Sequence, residues 1–125
     1  MRATAPVAKP ATGAVLAKAT IRSATLLGLS GAVLGKLLGL SEATVSRIHN
    51  GERPIEPQSK EGGRASLLVR LYRSLDALVG NDEKRRLEWL NAYNRAFNGV
   101  PKDMVQTAQG LVLVVSYLDG MRATV

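Results

Sequence analysis

The chain has 125 residues, of which 46% are hydrophobic and only 4% aromatic. These proportions are typical of one or two small folded domains with an aliphatic core. The chain contains no cysteine and one histidine, which excludes disulfides, thiolate nucleophiles and cysteine-ligated or histidine-rich metal sites. Lysine and arginine number 17 against 10 acidic residues, and the net charge of +7 favours a polyanionic partner without identifying it.

Residues 1–13 contain Pro6, Pro10, Gly13 and few bulky apolar side chains. They predict a flexible basic tail, which either solubilises the chain or reaches DNA phosphates. The first acidic residue of the chain is Glu42. The first residues lack the apolar core of a signal peptide, and no apolar run reaches the roughly 18 residues of a membrane span. We therefore expect a cytoplasmic protein.

Two short helices joined by a tight turn are predicted within residues 34–51, after a first helix over residues 14–29. Ser30 and Ser41 are suitable N-caps, and Gly39 suits the left-handed turn between the two helices. Gly35 is the tiny residue that a close helix crossing requires, and Asn50-Gly51 ends the second helix. This combination predicts a helix-turn-helix, whose second helix enters the DNA major groove.

Seven residues of this unit are the predicted DNA contacts. Base edges are assigned to Glu42, Ala43, Ser46 and Arg47, and phosphates to Ser41, Thr44 and Asn50. Glu42 is equally well explained as an acid that favours the helix dipole, and His49 is better explained as a surface histidine. One recognition helix rarely suffices for specific binding, so we expect a homodimer on operator DNA, paired through the N-terminal module.

The rest of the chain predicts further helices and no partner strands, so the predicted fold class is all-α. Residues 54–63 are rich in breakers and predict a loop between two modules. The predicted helices cover residues 64–79, 82–91 (capped by Asn81), 94–97, 101–106 and 108–122 (capped by Thr107). The last one contains the β-branched run LVLVVSYL, for which helix is favoured because its neighbours are helical. Its apolar face indicates either burial within the domain or a protein partner.

No catalytic constellation is present. A serine triad needs a histidine base, and the single histidine lies in the predicted recognition helix. Phosphate-binding glycine motifs are also missing. We therefore expect neither enzyme activity nor a cofactor.

Several strings resemble the Xre/MbcA/ParS antitoxins of bacterial type II toxin–antitoxin pairs. They are LLGLS at residues 26–30, LGLSEATVSRIHNGER at 38–53 and LLVRLYRSLDALVG at 67–80, followed by Trp89-Leu90, NRAFNGVP, QGLV and YLDGM. The resemblance covers about residues 15–122. It divides the chain into a tail (1–13), an Xre-like helix-turn-helix module (14–56) and a small helical toxin-binding domain (57–125).

The resemblance implies an antitoxin that binds a RES-type, NAD-degrading toxin, obstructs the toxin's active site, and represses its own operon. It implies a structural role for Trp89, Gly99 and Pro101. It implies toxin contacts at Asn94, Arg95, Asp119, Met121 and Arg122. Two alternatives remain. One is a plain Xre-type regulator whose C-terminal domain only dimerises, and the other is an interaction protein with a vestigial helix-turn-helix.

Overall fold

The computed structural model describes residues 4–123, with side chains from residue 12 onward. This part of the chain is built from helices and contains no β-strand, which confirms the all-α prediction. In chain order the helices are α1 (Thr4–Leu26), α2 (Gly31–Leu38), α3 (Glu42–His49), α4 (Lys60–Val79), α5 (Glu83–Asn91), α6 (Pro101–Met104) and α7 (Ala108–Ala123).

The helix-turn-helix forms through local capping, as predicted. Ser30 caps α2 by accepting a hydrogen bond from the Val33 N–H at 3.2 Å, and Gly39 ends α2 with φ of 76°. Ser41 caps α3 in the same way. Because each terminus is fixed by a residue with the required chemistry, the two helices begin and end where the sequence places them.

The crossing of α2 and α3 depends on Gly35, also as predicted. A Cβ atom at this position would lie 2.8 Å from the carbonyl oxygen of Leu40 in the turn. Such a contact is too short for any side chain, so the backbone of α2 can approach the turn this closely only at a glycine.

The first helix is longer than the sequence predicts. It begins at Thr4, so residues 4–13 of the predicted tail are helical, and residues 1–3 lie outside the described residues. Pro6 falls in the first turn, where its missing N–H has no intrahelical partner. Gly13 then fits closely against the loop before α4: its carbonyl accepts a hydrogen bond from the Ile55 N–H at 3.2 Å.

Helix α4 is the central element. It packs against α1 and α2 on one side and against α7 on another. The fully buried side chains form one continuous apolar cluster, which includes Leu34, Leu37 and Leu38 of α2, Leu68, Leu71 and Leu75 of α4, and Leu111, Val114 and Leu118 of α7. The two predicted modules therefore share a core through α4.

The loop before α4 is shorter than predicted, because α4 begins at Lys60 and includes Gly62 and Gly63. Ser59 caps the helix by accepting a hydrogen bond from the Gly62 N–H at 3.0 Å. A Cβ atom on Gly62 would collide with the carbonyl oxygen of Glu56. Gly62 therefore serves a close approach in the first turn of a helix, whereas a Cβ atom on Gly63 would meet nothing within 4 Å.

Two further details of the C-terminal half differ from the prediction. The N-cap of α5 is Asp82 rather than Asn81, which has a φ of 65° and continues the turn after Gly80. Residues 94–97 are not helical: Asn94 and Gly99 form an isolated antiparallel bridge, with the Asn94 N–H 2.8 Å from the Gly99 carbonyl oxygen. The Asn94 side chain stabilises this loop by accepting from the Ala96 N–H at 2.9 Å, a local bond that competes with helix.

The last two helices follow the predicted order. Pro101 starts α6, which ends at Met104 and is slightly shorter than predicted. Thr107 caps α7 by accepting from the Gly110 N–H at 3.0 Å. The β-branched run lies inside α7, where tertiary packing against α4 outweighs its preference for strands.

Candidate DNA-binding and partner-binding surfaces

The outer face of α3 carries the residues that the sequence assigned to base edges. Val45 and Ile48 are buried against the rest of the module. The opposite face is exposed and carries Glu42, Ala43, Ser46 and Arg47, with Asn50 immediately after the helix. A short helix of this kind, with its apolar residues buried and small polar residues outward, has the form required to enter a major groove.

The two hydroxyl residues assigned to phosphates already form a local contact. Ser41 Oγ accepts from the Thr44 N–H at 3.2 Å and lies 2.9 Å from Thr44 Oγ1. Both therefore contribute to the cap of α3. Asn50 is exposed immediately after the helix, so Ser41 and Asn50 flank α3 and Thr44 lies in its first turn.

A polar network joins α4 to α7 and includes two of the five predicted toxin contacts. Asp119 forms an ion pair with Arg70, at 2.6 Å, and accepts a hydrogen bond from Ser74 Oγ at 3.1 Å. Arg122 donates to the same Ser74 oxygen at 3.2 Å. Ser74 is fully buried, whereas Arg70 and Arg122 are exposed, so the network runs from the core to the surface.

Asn94 and Arg95 lie on a different side of α7. The loop that carries them is attached to α7 by Phe97, whose ring packs edge-on against Tyr117 with centroids 4.9 Å apart. Tyr117 and Asp119 are two residues apart in one helix and therefore project on opposite flanks. The structure thus places Asn94 and Arg95 in one group and Asp119 and Arg122 in another, while Met121 is half-buried.

The outward face of α7 between these groups is apolar. Val112 and Leu113 are each 49% exposed. Together with Ser116 and residues of α6 they line an open cavity of about 570 Å³. The sequence indicated an apolar face on this helix, and the structure locates its exposed part at these two side chains.

One buried cation that the sequence analysis missed connects the two halves of the chain. Arg86 of α5 is only 4% exposed. Its Nη1 donates to Asp76 Oδ1 of α4 at 2.8 Å, and its Nε donates to the carbonyl oxygen of Leu26, the last residue of α1, at 3.0 Å. Its guanidinium also lies over the Tyr72 ring, 5.5 Å from the centroid. In the sequence Arg86 stands in a Lys-Arg-Arg run that resembles a solvated face, so no local signal identifies it.

Comparison with known protein families assigns a domain to each half of the chain. Residues 6–70 match the antitoxin Xre-like helix-turn-helix domain, and residues 74–123 match the antitoxin Xre/MbcA/ParS C-terminal toxin-binding domain. No curated protein matches the chain significantly. The two matched segments meet within α4. The domain boundary that the sequence predicts, at residues 56–57, lies in the loop before α4 and stays a prediction. Because the first match alone covers more than half of the chain, the protein belongs to the Xre/MbcA/ParS family of antitoxins, with a DNA-binding helix-turn-helix and a toxin-binding domain.

Proposed function

We propose that this chain neutralises a cognate RES-type, NAD-degrading toxin by binding it through the C-terminal domain and obstructing the toxin's active site. The observation that carries the proposal is the match of residues 74–123 to a toxin-binding domain. The exposed Val112 and Leu113 support it, since adjoining apolar side chains left exposed on a surface mark protein-interaction sites. The contacts at Asn94, Arg95, Asp119, Met121 and Arg122 belong to this proposal.

The chain also acts as a dimeric repressor of its own operon in the cytoplasm. The exposed α3 supports this second part, with Glu42, Ala43, Ser46 and Arg47 facing bases and Ser41, Thr44 and Asn50 near phosphates. Two copies with recognition helices about one DNA turn, roughly 34 Å, apart would read a twofold operator. The chain itself catalyses no reaction in this proposal. Among the described residues, none of the helices has the length and apolar character of a membrane span.

Coexpression with the product of the adjacent gene tests the proposal. That product alone should arrest growth, and coexpression of this chain should restore growth and yield a complex of the two proteins. An adjacent product that is harmless, or that remains toxic in the presence of this chain, would refute the antitoxin function.

The alternative is a plain Xre-type regulator whose C-terminal domain only dimerises. The same apolar face of α7 favours it, since a second copy could cover Val112 and Leu113. This alternative predicts full operator binding and no toxin partner, so the coexpression experiment distinguishes the two functions.

A further inference from the structure

The outer face of α1 carries two cations close to the recognition helix. Lys18 and Arg22 are four residues apart, so they lie on one face, and both are exposed. Neither takes part in the ion pairs found among the described residues. The chain has no acidic residue before Glu42, so α1 offers no intrahelical counter-charge.

These cations line a groove of about 1180 Å³ between α1 and the end of α3. The opposite wall includes Asn50, a predicted phosphate contact, and Arg53, which pairs with Glu61 at 3.3 Å. None of the described residues that line the groove is acidic. Most of the lining is apolar, but the charged side chains of the groove are all cationic, and the groove is continuous with the α3 surface.

The position of α1 beside α3 indicates that the polyanion in this groove is the DNA backbone. Thr25 of α1 shares a smaller cavity of about 330 Å³ with Glu42 and Ser46, so α1 borders the edge of the predicted base-reading face. Packed helices lie about 8–10 Å apart, whereas the edge of the roughly 12 Å wide major groove is about 6 Å from its centre. Because α1 borders α3 on the side that carries Glu42 and Ser46, an α3 that occupies the major groove brings α1 towards the flanking sugar–phosphate backbone.

We propose that Lys18 and Arg22 form a phosphate-binding extension of the DNA interface, which contacts the backbone beside the groove that α3 enters. This inference rests on the proposed operator binding and adds to it a surface outside the helix-turn-helix. Phosphate contacts supply affinity without reading sequence, so the extension should strengthen binding to operator and to unrelated DNA by the same factor.

The test measures binding of the full chain to the DNA fragment immediately upstream of its own coding sequence and to an unrelated duplex of equal length, by fluorescence anisotropy over a range of salt concentrations. The double variant Lys18→Ala/Arg22→Ala should bind both duplexes more weakly by a common factor. The slope of log K against log salt should become shallower by about 1.8, since each phosphate contact contributes ~0.9.

Two control variants separate contact from net charge. Lys84→Ala/Arg85→Ala removes two exposed cations from α5 and should leave the salt slope near that of the wild type. Lys18→Arg/Arg22→Lys keeps both charges and should also preserve the slope. An unchanged slope in the Lys18/Arg22 alanine variant, or an equal decrease in the α5 variant, overturns the inference.

The remaining outcomes distinguish this inference from the proposed function. Intact DNA binding with loss of toxin binding in the Lys18→Ala/Arg22→Ala variant would assign the groove to a partner protein and refute the extension. If Arg47→Ala weakens operator binding and the α1 variant does not, only the extension fails. If the wild-type chain binds neither duplex, both the extension and the proposed repressor function fail.

Discussion

Replacement of Arg86 by methionine should strongly destabilise the protein, because it removes the buried partner of a mostly buried carboxylate. The Arg86 side chain is 5% exposed and that of Asp76 is 18% exposed. Loss of one partner from a buried ion pair costs about 3–5 kcal/mol. Since Asp76 retains some access to water, the lower end applies, and loss of the hydrogen bond to the Leu26 carbonyl adds about 1 kcal/mol. We expect the free energy of unfolding to decrease by about 3–4 kcal/mol.

Urea denaturation followed by fluorescence of Trp89, the single tryptophan, measures this change. The midpoint should fall at an unchanged m-value. Arg85→Met, at the exposed neighbouring position, is the matched control and should stay within about 0.5 kcal/mol of the wild type. The double variant Arg86→Met/Asp76→Leu should recover much of the loss, because it leaves no unpaired buried charge. A loss below about 1 kcal/mol for Arg86→Met, or no recovery in the double variant, would refute this reasoning.

The other predictions concern single surfaces. Arg47→Ala should weaken operator binding by about 1–3 kcal/mol, measured by anisotropy, and leave toxin neutralisation intact; loss of both would contradict separable surfaces. Gly35→Ala should destabilise the protein by about 1–3 kcal/mol in thermal unfolding, because its Cβ meets the turn backbone. Gly31→Ala, where a Cβ meets nothing within 4 Å, is its control, and equal effects would contradict the crossing argument. Leu113→Asp should reduce toxin affinity while lowering the melting temperature by only a few degrees, since Leu113 is half exposed; unchanged affinity would exclude this face from the interface.

The sequence predicted well those features that depend on neighbouring residues. The caps at Ser30, Ser41 and Thr107 and the turn at Gly39 each follow from the chemistry of one residue and the next turn of backbone. Gly35 could also be assigned, because a helix-turn-helix crossing demands a tiny residue at one position.

Features that depend on distant residues could not be predicted. Gly62 indicated a loop, yet it lies in the first turn of α4, where only a residue without a side chain leaves room for the carbonyl oxygen of Glu56. The buried position of Arg86 arises only when α1, α4 and α5 meet. The separation of Asn94 from Asp119 likewise follows from packing of the aromatic side chains against α7, which no periodicity in the sequence records.

The most direct test of the antitoxin function is the rate of NAD consumption by the purified product of the adjacent gene as this chain is added. The proposed function predicts that NAD consumption falls to background once the chain saturates the toxin, and that Arg47→Ala inhibits as fully as the wild type because α3 lies outside the toxin-binding domain. NAD consumption that continues undiminished in an excess of the chain would contradict the proposal.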